Sequence, residues 1–270
     1  ENKIIKTIYR PFCKENLYYD SNVIERPGIF ENLFLDENKL ICISGIGSNK
    51  SFSCLIVDSI PSLDTIEKNQ CFPLYWYDEN KVTLLNKNEA PYIKYDGISD
   101  YIFSKCYEKY KKELNKQDIF YYVYGILHSK LYREKNKADL KKSLPRIPIV
   151  DDYEEFIKFS EAGRKLADLH LNYEKVSPYK NCEIIKNKDN YKVIKMKFGK
   201  NKDKSIIQYN DNIIIKNIPS KAYEYVVNGK SAIEWIMERY AITTDKKSGI
   251  VNDPNDWCKE VNDEKYIFNL

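Results

Sequence analysis

A helical aromatic run that stops at two prolines is the feature that most constrains this fold. Residues 118–134, DIFYYVYGILHSKLYRE, repeat their apolar side chains at helical spacing, and Asp118 is the predicted N-cap. Pro145 and Pro148 then break the helix and force an extended segment, because proline locks φ and lacks a backbone donor. A further amphipathic helix is predicted over 151–171, with acidic residues in its first turn. The two prolines are therefore expected to set the direction in which the chain enters that helix.

Strand patterns lie on both sides of this helical region. Before it, LICIS and SCLIVDS predict buried strands, and two strands are expected around Pro11, followed by a short helix after Pro27. QCFPLYWY predicts another strand, whose early proline indicates an edge or a bulge. After it, YKVIKMKF, KSIIQYN and NIIIKNI predict a three-stranded meander. The pattern indicates an α+β fold, with a mixed β-sheet, packed helices and a late antiparallel β meander. We predict one domain over 1–270, with a β-rich part (1–98), a helical part (99–172) and a part that combines the meander with C-terminal helices (173–270).

Composition excludes several classes of protein. The chain has no apolar run of about 18 residues, so no membrane span is predicted, and no signal peptide is predicted either. Its seven cysteines are odd in number and form no Cys-x-x-Cys pair. Free thiols in a reducing cytoplasm are therefore expected, rather than disulfides or a zinc site.

The sequence contains no recognisable catalytic motif. The loop SGIGSNKSF (44–52) has Asn49 where a phosphate-binding loop needs glycine before Lys50, so a connecting loop is favoured. A contact of its N–H groups and Lys50 with a nucleic-acid backbone stays open. His128 and His170 are far apart in sequence and have no neighbour at ligand spacing, which favours structural histidines. We predict no catalytic residue, metal site or cofactor within these 270 residues.

Basic residues are locally clustered although the net charge is only +4. A net charge of this size does not by itself indicate a nucleic-acid partner, so such a reading depends on the clusters. Six basic residues crowd one short segment: Arg133, Lys135, Lys137, Lys141, Lys142 and Arg146. Arg10 and Arg26 each stand next to a proline, where a rigid turn can present the guanidinium to guanine or phosphate. Structural salt bridges are the alternative for Arg10 and Arg146.

Six stretches of the chain resemble a known family. They are YRPF-KENLYYD-NVIERPG (9–28), ISGIGSNKSFSCLIVDSIPSL (43–63), QCFPLYWY (70–77), DIFYYVYGILHSKLYREKNKADLKKSLPRIPIV (118–150), GRKLADLHLNYE (163–174) and YEYVVNGKSAIEWIMERY (223–240). In this order they resemble the C-terminal target-recognition region of Type ISP single-polypeptide, translocating restriction–modification enzymes. One departure is Cys13, where the family pattern has Asp.

The resemblance implies that catalysis is carried out elsewhere in a longer polypeptide. In this family a nuclease, a helicase-like motor and an adenine-N6 methyltransferase precede the recognition region, and the whole enzyme is implied to use S-adenosylmethionine, ATP and magnesium. The recognition region would read double-stranded DNA and hold it while the target adenine is flipped into the methyltransferase. The implied partners are duplex DNA and the upstream methyltransferase and helicase domains, with no membrane.

The residues expected to contact DNA follow from the turns, the loop and the basic stretch. They are Arg10, Lys14, Arg26, Ser48, Asn49, Lys50 and Arg133. Two alternatives stay open. One is a protein-interaction module that docks the methyltransferase and motor domains without base readout, and the other is a catalytic module, such as a nuclease, whose site converges from distant residues.

Overall fold

The computed structural model describes residues 3–20, 22–24, 30, 33–80 and 91–270. The chain divides into two compact units, Glu1–Tyr9 with Lys14–Leu171 and Arg10–Cys13 with Asn172–Leu270. Both units combine helices with small, largely antiparallel sheets, which confirms the α+β fold class. The helix predicted after Pro27 falls largely outside the described residues, and residues 33–37 form a turn and bends.

The N-terminal strands form three small sheets. The strands are β1 (Ile4–Arg10), β2 (Cys13–Tyr18), β3 (Leu40–Ile43), β4 (Cys54–Val57), β5 (Ile60–Pro61), β6 (Gln70–Pro73), β7 (Tyr75–Glu79) and β8 (Tyr92–Asp96). Their orders are β2-β1-β5, β4-β3-β6 and β7-β8. The strands β3 and β4 are buried throughout, which confirms the prediction made from their apolar runs. The stretch QCFPLYWY forms strands, and β6 lies at the edge of its sheet as predicted. It is not one continuous strand, because the buried Leu74 separates β6 from β7 and donates its N–H to the Lys39 carbonyl at 2.8 Å.

Four helices lie among the described residues of the first unit. They are α1 (Asp100–Tyr110), α2 (Lys116–His128), α3 (Lys130–Lys135) and α4 (Tyr153–Leu171). The N-cap of α2 is Asn115, whose side chain accepts from the Asp118 N–H while the Asp118 carboxylate accepts from the Asn115 N–H, both at 2.9 Å. The prediction that Asp118 is the N-cap is therefore wrong, because this residue closes a capping box from the third helical position.

Helices α2 and α4 approach each other through two glycines. A Cβ atom placed on Gly163 would lie 2.0 Å from the carbonyl oxygen of Tyr121, and one on Gly125 would lie 2.3 Å from that of Phe159. Next to this crossing the rings of Tyr122 and Phe156 stack with centroids 4.6 Å apart. The predicted aromatic face is thus the inner face of a close helix pair. The single helix predicted over 118–134 is wrong in its extent, because α2 ends at His128 and the extended Ser129 caps α3.

The second unit contains a four-stranded antiparallel sheet, two short hairpins and three helices. In chain order they are β9 (Glu183–Lys186), β10 (Lys197–Phe198), β11 (Ile207–Gln208), β12 (Ile213–Lys216), β13 (Val226–Val227), β14 (Lys230–Ser231), α5 (Ala232–Arg239), β15 (Thr243–Thr244), β16 (Val251–Asn252), α6 (Asn255–Glu260) and α7 (Tyr266–Asn269). The sheet order is β10-β11-β12-β9, so the predicted meander is present and gains β9 as a fourth strand. Most of YKVIKMKF is not a strand, since only Lys197 and Phe198 pair with β11.

Candidate nucleic-acid interface

Tyrosine hydroxyls hold the extended segment that contains Pro145 and Pro148. The hydroxyl of Tyr122 donates to the Pro148 carbonyl at 2.6 Å and accepts from the Val150 N–H at 3.2 Å. Two further tyrosines act in the same way: Tyr110 donates to the Val150 carbonyl at 2.7 Å and Tyr132 donates to the Arg146 carbonyl at 2.9 Å. The sequence contains 23 tyrosines. Because a buried tyrosine hydroxyl requires a hydrogen-bond partner, this abundance indicated such bonds, although the sequence did not show which residues would make them.

The loop between β3 and β4 is anchored from within by Glu67. The Ser48 hydroxyl donates to one Glu67 carboxylate oxygen at 2.7 Å, and the Asn49 side-chain amide reaches the other at 3.5 Å. The Ser48 hydrogen bond is the main cause that lowers the pKa of Glu67, so this carboxylate is ionised at neutral pH. The predicted contact residues Ser48 and Asn49 therefore fix the loop, while the Lys50 side chain is exposed.

This loop meets the basic stretch, which follows it by some ninety residues in the sequence. The N–H of Gly47 donates to the carbonyl of Lys141 at 3.3 Å. Gly47 has a φ of +75°, a backbone conformation that glycine adopts without strain. On the other side, Lys68 Nζ donates to the Gly47 carbonyl at 3.2 Å.

Exposed lysines surround this junction. We call Lys50, Lys68, Lys141 and Lys142 the loop surface, and all four side chains are exposed. The segment 133–146 that supplies two of them carries six basic and two acidic residues. The loop and the basic stretch, which are far apart in the sequence, therefore form one positively charged surface.

Arg133 occupies a different position from the exposed lysines. Its side chain is half-buried, its Nε donates to the Leu127 carbonyl, and its guanidinium lies over the Phe52 ring at 5.6 Å. Because Phe52 belongs to the loop between β3 and β4, Arg133 ties helix α3 to that loop. The structure thus places this predicted contact residue beneath the loop surface.

Two of the remaining predicted contact residues, Arg10 and Lys14, belong to the described part of the chain. Arg10 ends β1 and belongs to the second unit, whereas Lys14 lies in β2 within the first unit, and both are half-buried. Arg26 lies outside the described residues.

The two histidines lie together in a buried cluster with Tyr124. The Nδ1 of His170 is 2.6 Å from the Tyr124 hydroxyl, and the Nδ1 of His128 donates to the Tyr124 carbonyl at 2.9 Å. Burial, reinforced by the charge of Arg133, lowers the pKa of His128 to about 3 and that of His170 to about 4. Both imidazoles are therefore neutral at pH 7 and are bonded within the core, as expected of structural histidines.

The described part of the chain also lacks two other kinds of feature. Within it, no group of three or more His, Cys, Asp or Glu side chains is placed to hold a metal ion. Within the same residues, no helix combines the length and apolarity that crossing a bilayer requires.

An apolar groove borders the extended segment in the first unit. Its volume is about 770 Å³, and Leu131, 75% exposed, lies on its lining with Pro148 and Phe159. Charged side chains also line it: Lys135, Arg146, Lys158 and Glu155. An exposed apolar groove with a polar rim is typical of a surface that binds another protein segment.

A family comparison decides the classification of the chain. The model of the Type ISP C-terminal specificity domain matches residues 1–270. The chain belongs to this family. This match confirms the resemblance that the six sequence stretches indicated. A comparison with curated proteins gives no match.

Solved structures agree with this classification. The specificity domain is 39% identical to part of the ATP-dependent Type ISP restriction-modification enzyme LlaBIII bound to DNA, with a TM-score of 0.87. It is 38% identical to part of a nuclease-deletion mutant of the Type ISP enzyme LlaGI in complex with a DNA substrate mimic, with a TM-score of 0.83. For the DrdV–DNA complex the identity is 28% and the TM-score 0.81.

The specificity domain corresponds to a small part of each of these proteins. The matches cover 99%, 100% and 100% of this chain, but only 17%, 23% and 27% of the LlaBIII, LlaGI and DrdV chains.

Proposed function

We propose that this specificity domain recognises duplex DNA for a restriction–modification enzyme. In that role it positions the duplex for adenine methylation and for ATP-driven restriction, both carried out by other domains. The observation that carries the proposal is the hydrogen bond from Gly47 to Lys141, which joins the loop and the basic stretch into the loop surface. Three solved relatives that are complexes with DNA or a DNA mimic support it.

The loop surface has the chemistry that backbone contact requires. Lysine ammonium groups neutralise phosphates without reading sequence, and they fix the register in which base contacts are made. The Glu67 bonds to Ser48 and Asn49 and the Lys141 contact restrain the loop in advance. A restrained loop loses little conformational freedom on binding, so more of the interaction energy appears as affinity.

Bond-making chemistry is assigned in this proposal to domains beyond these 270 residues. The histidine cluster supports this division, because His170 is buried, His128 is half-buried, and both imidazoles are bonded to Tyr124. The S-adenosylmethionine, ATP and magnesium of the full enzyme would then be bound by the methyltransferase and motor domains. The specificity domain would contribute orientation, holding the duplex while the target adenine is flipped out of the stack.

Neutralising the loop surface tests this proposal. We expect the combined variant Lys50→Gln, Lys141→Gln and Lys142→Gln to bind duplex DNA about tenfold or more weakly at moderate salt. The plot of log affinity against log salt should become shallower by about two to three, since each lost phosphate contact removes nearly one unit of slope. Fluorescence anisotropy of a labelled duplex at several salt concentrations gives both quantities.

A matched variant controls for the loss of three positive charges. Lys105→Gln, Lys112→Gln and Lys165→Gln remove three exposed lysines from helices α1 and α4 and the residues that follow α1. This control should retain most of the affinity and slope. Equal losses in the two variants would show that only net charge matters and would contradict the assignment of the loop surface.

The apolar groove favours a second candidate function, the docking of a neighbouring domain. Its lining combines exposed Leu131 with the cations Lys135, Arg146 and Lys158, so an apolar segment flanked by acidic residues would fit it. A module that only docks proteins would show no salt-dependent affinity for duplex DNA. The same anisotropy measurement therefore separates the two functions.

A further inference from the structure

The second unit carries a further basic segment, which overlaps the stretch YKVIKMKF. Residues 188–204 contain seven lysines and two aspartates, a net charge of +5 in a chain whose total is +4. The segment 133–146 carries a further +4. The rest of the chain is therefore net negative, so the positive charge of this protein is concentrated in two short segments, one in each compact unit.

Part of this segment is held in place by two asparagine side chains. Asn255 accepts from the Val193 N–H at 2.9 Å and donates to the Val193 carbonyl at 2.8 Å. Asn210 donates to the Asn190 carbonyl at 2.8 Å and to the Lys192 carbonyl at 2.9 Å. These amide bonds take the place of ladder bonds for Asn190, Lys192 and Val193, and the chain bends at Ile194 before it enters β10.

The fixed backbone divides its side chains between the core and the solvent. Val193 and Met196 are buried in the core of the second unit. Between and beside them, Lys192, Lys195 and Lys197 are exposed, and Ile194 is 67% exposed although it is apolar. The Ile194 carbonyl accepts from the Ile242 N–H at 2.9 Å, so the backbone of this residue is also fixed.

A groove lies beside these outward side chains. Its volume is about 530 Å³, and its lining includes the three lysines, the amides Asn190, Asn210 and Asn212, and two carboxylates, Asp211 and Asp253. Asp253 is engaged by Asn255, which donates to it from its backbone N–H at 2.9 Å and from its side chain at 2.6 Å. The exposed lysines therefore outnumber the exposed carboxylates along the groove.

We propose that residues 190–197 form a second DNA-contacting element, which rests on the proposed function of DNA recognition and deepens it. Lys192, Lys195 and Lys197 bind backbone phosphates, and Ile194 packs against an apolar base edge. Among the base edges of the major groove, the thymine methyl group is the apolar one. A rigid segment with one exposed aliphatic side chain among three lysines combines backbone positioning with readout of a base.

The first test removes the three lysines. We expect Lys192→Gln, Lys195→Gln and Lys197→Gln together to lower affinity for a duplex pool with a randomised centre by about tenfold or more. The salt slope should fall by about two to three. Lys221→Gln, Lys246→Gln and Lys247→Gln remove three exposed lysines of the same unit and serve as the control, with little change expected.

The second test concerns Ile194. Ile194→Ser should leave the salt slope unchanged. The unaltered chain enriches a set of duplexes from the pool. When uracil replaces the contacted thymine in these duplexes, the affinity of the unaltered chain should fall about fourfold, as expected for the loss of one buried methyl group. The Ile194→Ser variant should not distinguish the two bases. Equal discrimination by both proteins overturns the role of Ile194.

The outcomes separate this inference from the proposed function. Suppose that the variant without Lys192, Lys195 and Lys197 keeps its DNA affinity and salt slope, while the variant of the loop surface loses both. The second DNA-contacting element is then refuted and DNA recognition stands. If the unaltered chain shows no salt-dependent binding to any duplex in the pool, both are overturned.

Discussion

Replacing Gly163 by alanine is expected to lower the free energy of unfolding of the first unit by about 2 kcal/mol or more. A Cβ atom at this position would lie 2.0 Å from the Tyr121 carbonyl oxygen and 2.9 Å from the Gly125 nitrogen. Both obstacles are backbone atoms of helix α2, so no side chain can rotate away and the two helices must move apart. Overpacking of this kind costs about 1–3 kcal/mol or more, which exceeds the gain of about 1 kcal/mol from replacing glycine in a helix.

The neighbouring residue provides a control for helix propensity, with the substitution made in the reverse direction. Ala162 lies in the same helix and is exposed, so Ala162→Gly should cost about 1 kcal/mol through helix propensity alone. Urea denaturation followed by circular dichroism at 222 nm measures both variants. Stabilisation by Gly163→Ala, which propensity alone predicts, would show that α2 and α4 do not cross as closely as described.

Mild acid is expected to destabilise the first unit through its two histidines. Their folded pKa values, about 3 for His128 and about 4 for His170, lie below the ordinary value of 6.5 because burial and the Arg133 charge disfavour the imidazolium. Above pH 6.5 both states are neutral and the histidines contribute no pH dependence. As the pH falls below 6.5, the unfolded chain binds protons that the folded chain does not, so stability falls until the folded pKa values are reached.

The expected size of this effect is large at pH 5. There each unfolded histidine is protonated and each folded one is neutral, which amounts to about 2 kcal/mol per histidine and about 4 kcal/mol for the pair. Carboxylates with lowered pKa values, such as Asp20 and Glu67, lose their stabilising effect only at lower pH, near and below their ordinary values. The interval from pH 7.5 to pH 5 therefore isolates the histidines.

A single substitution controls for other acid effects. His170→Gln removes one titrating group, so the loss of stability between pH 7.5 and pH 5 should be halved, whatever the variant costs at pH 7.5. Urea denaturation at both pH values gives the comparison. An unchanged pH dependence would mean that His170 does not titrate as its buried position requires.

Much of the fold was predictable because local patterns and tertiary packing agree. The four-residue strands β3 and β4 are buried on both faces, and their continuous apolar runs identify them without tertiary information. Helix α4 has a regular amphipathic period, and the prediction of 151–171 differs from its observed bounds by two residues at one end. Family membership was predictable from six stretches in a fixed order, and the family model confirms it.

The errors arose where side chains at distant positions determine local structure. The stretch YKVIKMKF was predicted as a strand, yet Asn210 and Asn255 bind the backbone of Lys192 and Val193 and the chain bends at Ile194. The N-cap of α2 was misplaced because Asn115 and Asp118 can each start a helix, and the capping box is recognised only when both bonds are seen.

The candidate site was only partly predictable for the same reason. The loop at residues 44–52 and the basic stretch were both identified from sequence, but their contact through Gly47 and Lys141 depends on tertiary packing. Arg133 looks identical to an exposed cation in sequence, and only its bond to Leu127 and its position over Phe52 distinguish it. Lys192, Lys195 and Lys197 were not predicted to contact DNA, because the segment that contains them was interpreted as a strand of the meander.

The most direct test is to incubate the chain with a randomised duplex pool at increasing salt and to sequence the bound DNA. If the loop surface and residues 190–197 both contact DNA, the affinity for most duplexes should fall steeply with salt, roughly as the fifth power of the salt concentration for six contacted phosphates. The duplexes that stay bound should share a common sequence motif. Retention that does not depend on salt, or a bound fraction with the same sequence composition as the input, would contradict the account.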